Sequence, residues 1–161
     1  MGHTGGHNMF EVLNTLWQRF VAEGVIRHDE YVRMTLSAYY RTVEECIGPL
    51  TDTASPVYRT GLRLEQYETR VIPCPYAAAF HHHGDAARFA CEYIPSLRSW
   101  SESTFLAALA PDRPLEERQG IIERYYGAYE TLVRESPGGH RKDNVHLYIT
   151  LAKTGLEDSG G

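Results

Sequence analysis

The stretch that decides the fold class is an alternating run near the end of the chain, Val145-His146-Leu147-Tyr148-Ile149-Thr150-Leu151-Ala152. Apolar residues at every second position are typical of a β-strand with one buried face. A second run, from Gly61 to Ile72, also predicts a strand. Its apolar phase slips at Glu65-Gln66, which predicts either a β-bulge or a strand covered on both faces. Because two strands alone make a marginal sheet, the chain is expected to be incomplete.

Working outward from the strands, the first part of the chain has helical periodicity. The apolar residues that follow Asn8 predict a helix that ends at Gly24. Residues 27–30 are interpreted as a short linker, and the prolines and threonines of residues 49–56 predict a loop.

A capping box stands between these two segments, in Tyr39-Tyr40-Arg41-Thr42-Val43-Glu44-Glu45. The Thr42 hydroxyl and the Glu45 carboxylate have the spacing at which each satisfies a free amide at a helix start. The two tyrosines therefore come directly before a helix N-terminus. Their rings either line a small-molecule pocket or close a core.

Two longer helices are predicted between the strands. Residues 81–83, three histidines, are expected in a loop, and Gly84-Asp85 opens a helix that is kinked or restarted at Pro95. The longest helix begins near Pro114 and ends before residues 136–139. Its two glycines, Gly120 and Gly127, lie near one face and are expected to admit a close neighbour.

The composition limits the kinds of partner. The chain has 161 residues, 42% of them hydrophobic and 23% charged, which is typical of a globular domain. A net charge of −5 disfavours nucleic acid and anionic membrane as partners. The sequence has neither an apolar run long enough to span a membrane nor a signal-peptide pattern, and its three cysteines read as reduced thiols. These features predict a cytoplasmic protein.

Familiar catalytic and metal motifs do not explain the chain. His81 and His83 can share one side of a loop, but no ligand at a recognisable spacing accompanies them, so a solvated loop is favoured over a metal site. Arg98 and Glu102 are interpreted as a structural ion pair, and Ser101 and Ser103 as residues of an exposed helix face. A complete glycine-rich loop for a dinucleotide or for S-adenosylmethionine is missing.

The aromatic residues allow two interpretations, a core or a ligand pocket. Phe10, Trp17, Trp100 and the tyrosines of residues 125–129 exceed what a small core needs, although such stripes are usually core. Some of them could instead surround an apolar ligand.

Four segments taken together resemble the SABATH family of methyltransferases, the salicylate, benzoate and theobromine type. They are residues 9–26, Tyr39–Glu45, Leu97–Glu102 and Asn144–Lys153, and the resemblance covers roughly residues 9–153. Members use S-adenosylmethionine to methylate small carboxylic acids or ring nitrogens. The chain departs from the family at Ala110-Pro111-Asp112-Arg113, which replaces its usual His-Phe-Gly, and at Asn144, near which the family often has an aromatic residue.

The resemblance implies which residues bind substrate. Met9, Phe10, Tyr39, Leu97 and Trp100 would form the wall of a pocket for an apolar acid. A carboxylate is already a nucleophile, so the family needs little acid–base help and relies on positioning. No residue of this chain is assigned to catalysis, to the cofactor or to a metal.

The resemblance also implies a fold and a function. The chain would be the C-terminal part of a class I, Rossmann-like methyltransferase, with Met1-Gly2-His3 resembling the end of the fifth strand. All of residues 1–161 would form one partial domain, with a helical cap segment at 8–60 and closing strands and helices at 61–155. The N-terminal cofactor half would be absent, so the isolated chain is expected not to bind S-adenosylmethionine. Its partners would be a small apolar carboxylic acid and an N-terminal half or a second copy.

Two alternatives remain open. The chain could be a non-catalytic small-molecule-binding or interaction module derived from the same fold. It could also be an unrelated helical protein, in which Tyr39 and Trp100 serve stability alone.

Overall fold

The computed structural model describes residues 9–36 and 39–154. The predicted cap Asn8, the predicted strand end at residues 1–3 and the tail from residue 155 lie outside the described residues. The described chain divides into two compact units, one formed by residues 39–72 and 144–154 and the other by residues 9–36 and 73–143. Both units draw on the predicted segments 8–60 and 61–155, and the assignment of the whole chain to one partial domain stays a prediction.

The fold is mixed α/β and rich in helix, which confirms the predicted α/β class. In chain order the elements are α1 (Met9–Ala22), α2 (His28–Arg33), α3 (Val43–Thr51), α4 (Pro56–Arg59), β1 (Leu62–Ile72), α5 (Pro75–His83), α6 (Ala86–Ala108), α7 (Leu115–Glu135), a 3₁₀ turn (Pro137–Gly139) and β2 (Asn144–Lys153).

The smaller unit contains the two strands, which pair antiparallel in the described part of the chain. Tyr67 lies opposite Ile149, and Val71 lies opposite Val145. The register shifts between Leu64 and Gln66, which confirms the predicted bulge. Gly61 directly precedes β1 and has a φ of +86°. Its carbonyl accepts a 2.9 Å hydrogen bond from the amide of Thr154.

The capping box of α3 is confirmed. The amide of Glu45 donates to the Thr42 hydroxyl over 3.2 Å, and the amide of Thr42 donates to the Glu45 carboxylate over 2.8 Å. The loop predicted at residues 49–56 is only partly correct, because α3 continues through Pro49 and α4 begins at Pro56. Pro49 sits in the last turn of α3 and removes one amide hydrogen bond there.

The larger unit is a helical body with an aromatic core. Trp17 of α1 packs edge-on against Phe105 of α6 and Tyr125 of α7, with ring centroids 5.0 and 5.2 Å apart. The Tyr125 hydroxyl donates to the Leu13 carbonyl over 2.7 Å and so ties α7 to α1. The aromatic stripe of α7 is therefore core, since Tyr125, Tyr126 and Tyr129 are all buried.

Several local predictions in this unit are wrong. The three histidines of residues 81–83 form the last turn of α5, which Gly84 ends in the left-handed conformation. Helix α6 begins at the predicted cap Asp85 and runs without a break through Pro95. The buried Ile94 and Leu97 on either side of Pro95 hold both halves of α6 against the core, which offsets the lost hydrogen bond.

The two glycines of α7 and one serine of α6 also differ from expectation. A Cβ built on Gly120 or Gly127 would meet nothing within 4 Å, so neither glycine admits a close neighbour. Ser101, predicted on an exposed face, is fully buried. Its hydroxyl lies 2.7 Å from the Tyr126 hydroxyl and donates to the Leu97 carbonyl, which explains how a polar residue is accommodated there.

Residues 27–30, predicted as a linker, instead start helix α2, and Glu30 is fully buried. Its carboxylate accepts hydrogen bonds from the Arg113 guanidinium over 2.6 and 2.8 Å and from the amides of Arg27 and Ala110. Arg27 in turn pairs with Asp112 over 2.8 Å. Residues 110–113 thus hold helix α2 in place.

Candidate functional site

Two of the predicted substrate residues meet on the larger unit. The Phe10 ring of α1 contacts the Trp100 ring of α6 edge-on, with centroids 6.1 Å apart. Trp100 keeps 37% of its surface exposed, and Phe10 is partly buried against the core. We call this pair the Phe10–Trp100 wall. A partly open aromatic surface of this kind can contact an apolar molecule.

Met9 and Leu97 lie behind the wall. Both belong to the hydrophobic core, with 6% and 0% of their surface exposed. Each is next to a wall residue along its own helix: Met9 precedes Phe10, and Leu97 lies three residues before Trp100. In this structure the two residues therefore support the wall, and a direct contact of either with a substrate stays a prediction.

Tyr39 belongs to the other unit. Its ring is 75% exposed, and its hydroxyl donates to the Glu45 carboxylate. This bond raises the pKa of Tyr39 and, together with the Thr42 amide, lowers the pKa of Glu45. Tyr39 thus extends the capping box of α3, and its place in a substrate pocket stays a prediction.

The side chain of Lys142 lies over the Phe10–Trp100 wall. The Lys142 ammonium lies 5.6 Å from the centroid of the Trp100 ring. Its two neighbours pair with each other, since Arg141 Nε lies 3.2 Å from the Asp143 carboxylate. Asp143 also accepts a 2.9 Å hydrogen bond from the amide of Cys74, which fixes the segment that carries Lys142. Sequence reasoning missed Lys142, because this segment between the 3₁₀ turn and β2 has no periodic pattern.

A separate groove of about 420 Å³ runs between α1 and the end of α7. It shares no lining residue with the five predicted site residues. Its walls are mostly apolar, and it is lined by Glu11, Val12, Thr15, Leu16, Arg19, Leu132, Ser136 and His140. His140 is buried, with its ring 5.7 Å from that of Tyr129. Sequence reasoning missed this groove, because Leu16 belongs to the same apolar stripe of α1 as the core residues.

The ion pair predicted between Arg98 and Glu102 is confirmed at 2.7 Å, and Arg98 also pairs with Glu123 of α7. The hydrogen bonds that Arg98 donates to Glu123 and Glu102 raise its pKa. Burial raises the pKa of Tyr126 to about 12. These shifts keep each group in its ordinary charge state at neutral pH, so this cluster joins helices and does not supply an acid or a base.

The described residues contain neither a metal-ligand cluster nor a membrane-spanning helix. Within residues 9–36 and 39–154, no group of three or more His, Cys, Asp or Glu side chains could hold a metal ion. The helices of the same residues include none that is long and apolar enough to cross a bilayer. Cys46, Cys74 and Cys91 are free thiols.

Comparison of the chain with protein-family models and with curated proteins finds no match. The resemblance to the SABATH family accordingly stays a prediction from the residues quoted above.

Proposed function

We propose that this chain supplies part of the substrate pocket of an S-adenosylmethionine-dependent methyltransferase that acts on the carboxylate of a small apolar acid. The observation that carries the proposal is the contact between Phe10 and Trp100. The resemblance assigns both residues to one pocket, although they lie on different helices and far apart in sequence. A resemblance by chance would not require these two rings to meet.

In this proposal the chain binds and orients the acid. The Phe10–Trp100 wall contacts its apolar body, and the buried Met9 and Leu97 keep the two helices that carry the wall in place. A carboxylate that is already held in a fixed orientation loses less entropy in reaching the transition state. In a methyl transfer of this kind, positioning is the main contribution of the enzyme to lowering the activation free energy. The chain would act through shape and dispersion, without proton transfer.

The described residues do not fit the cofactor. A nucleotide-type loop needs open glycine backbone between a strand and a helix N-terminus. Here β1 is followed by Pro73-Cys74-Pro75 at the start of α5, and the space beside Gly61 is filled by the Thr154 carbonyl, 2.5 Å from where a Cβ would stand. The proposal therefore assigns no residue of this chain to S-adenosylmethionine.

The test is a complementation assay. The chain is co-expressed with the N-terminal half of a SABATH methyltransferase, and transfer of a labelled methyl group from S-adenosylmethionine to a panel of aromatic and fatty acids is measured. We expect a methyl ester with at least one acid and its loss with Trp100→Ala. The matched control is Tyr148→Ala, which removes an exposed aromatic residue from the sheet. Absence of product with every acid would contradict the proposal.

A second candidate is a non-catalytic small-molecule-binding module. The groove between α1 and α7 favours it, because it is mostly apolar and shares no residue with the wall. In that case an apolar ligand would protect α1 and α7 from hydrogen exchange in the isolated chain. Val12→Glu, which places a charge at a partly exposed position of the groove, would abolish that protection.

A further inference from the structure

We infer that Lys142 is an anion-recognition residue of the Phe10–Trp100 wall and selects carboxylates over neutral molecules of the same shape. The inference rests on the proposed function, since it takes the wall to face an acid. It adds a residue that neither the resemblance nor the sequence patterns assign. The structural basis is the position of the Lys142 ammonium, 5.6 Å from the centroid of the Trp100 ring.

An ammonium group in this position keeps hydrogen-bonding capacity for a ligand. It has three donors, and an aromatic face attracts the charge without using those donors in conventional hydrogen bonds. An acid whose apolar body covers the exposed part of Trp100 would place its carboxylate within reach of the ammonium. The ligand class is therefore a small amphipathic acid, with one ring or a short chain and one carboxylate.

The charged residues around the Phe10–Trp100 wall are consistent with an acidic ligand. The residues one turn away from Trp100 on α6 are Ser96, Leu97, Ser103 and Thr104, none of which is charged. The nearest arginine on α6, Arg98, is paired with Glu102 and Glu123. The carboxylate of Asp143 is held by Arg141 and by the amide of Cys74. Lys142 is thus the cation that the described structure places on the wall.

The chain itself provides the means of testing this. Its only tryptophans are Trp17 and Trp100, and its only lysines are Lys142 and Lys153. Trp17 is fully buried, so its indole signal in a ¹H–¹⁵N spectrum is an internal reference for the signal of Trp100. The two signals are assigned with Trp100→Phe.

The experiment titrates the full chain with benzoate and, separately, with benzamide, its neutral isostere. We expect benzoate to shift the Trp100 signal at lower concentration than benzamide. Lys142→Met, which keeps the length of the side chain, should weaken benzoate binding about three- to fivefold and leave benzamide binding unchanged. Lys142→Arg should restore most of the preference, and Lys153→Met should behave as the unchanged chain.

Each failure has its own signature. If benzoate and benzamide shift the Trp100 signal equally, and Lys142→Met changes neither, the role of Lys142 is overturned while the wall remains a binding surface. If neither compound shifts the Trp100 signal, the inference is overturned together with the wall. The complementation assay tests the methyltransferase separately, because a chain that binds benzoate but yields no methyl ester contradicts the proposed function alone.

Discussion

The carboxylate of Glu30 and the guanidinium of Arg113 form an ion pair, 2.6 Å between Oε1 and Nε, that joins α2 to the segment before α7. Glu30 is fully buried, and its carboxylate also receives two backbone amides. Burial raises the pKa of this carboxyl, but the hydrogen bonds from Arg113, Arg27 and Ala110 outweigh it and lower the pKa to about 2. Because 4.5 is the ordinary value, the ionised form is strongly favoured by folding.

The first prediction concerns acid stability. A depressed pKa stabilises the fold above the unfolded pKa of about 4.5, and the stabilisation is lost as the pH falls toward 2. The loss amounts to about 3 kcal/mol of unfolding free energy. Urea unfolding followed by tryptophan fluorescence at several pH values between 6 and 2.5 measures it. Glu30→Gln should be less stable at pH 6 and should flatten the pH dependence, whereas Asp29→Asn should do neither.

The second prediction concerns the buried hydroxyl pair of Ser101 and Tyr126, whose oxygens are 2.7 Å apart. Ser101→Ala leaves the buried Tyr126 hydroxyl without its partner and should cost about 1–2 kcal/mol, whereas Tyr126→Phe should cost less, because the Ser101 hydroxyl keeps its hydrogen bond to the Leu97 carbonyl. The double variant should cost less than the sum, since it removes both polar groups. Denaturant unfolding measures all three. Ser103→Ala, on the exposed side of α6, serves as the control, and additive costs would show that the two hydroxyls are not coupled.

The third prediction separates the wall from the core behind it. Leu97 is fully buried, so Leu97→Ala should lower the unfolding free energy by about 2–5 kcal/mol. Trp100 is 37% exposed, so Trp100→Ala should cost less than Leu97→Ala, because it leaves no closed cavity in the core. Thermal unfolding of the two variants gives the comparison. An equal or larger cost for Trp100→Ala would make Trp100 a structural residue and not a surface available to ligands.

The local features of this fold could be predicted from the sequence because they depend on neighbouring residues. The alternation of β2, the bulge of β1 and the capping box at Thr42 each arise within about ten residues. Features that depend on distant partners could not be predicted. The sequence around Glu30 predicts a linker, because its ion-pair partner, Arg113, lies 83 positions later in the chain. Likewise, the sequence predicts that Ser101 is exposed, because its hydrogen-bond partner, Tyr126, lies on another helix.

The candidate site divides in the same way. Periodicity identified Phe10 and Trp100 as aromatic residues of two helices, but only the resemblance joined them, and their contact depends on how α1 and α6 pack. Lys142 gave no signal, because its role comes from where the segment before β2 passes over Trp100. A cation in an irregular segment has no period, so its contacts follow only from tertiary structure.

The last prediction uses the two glycines of α7, where the structure reverses the expectation from sequence. A glycine inside a helix costs about 1 kcal/mol relative to alanine unless its lack of a side chain allows a close contact. Space is open around both Gly120 and Gly127. Gly120→Ala and Gly127→Ala should therefore each stabilise the protein by about 0.5–1 kcal/mol, measured as a rise in the midpoint of urea unfolding. Gly61→Ala is the opposite control, since φ is +86° and the new Cβ would lie 2.5 Å from the Thr154 carbonyl. It should destabilise the sheet, and a loss of stability at Gly120 or Gly127 would mean that a neighbour does occupy that face of α7.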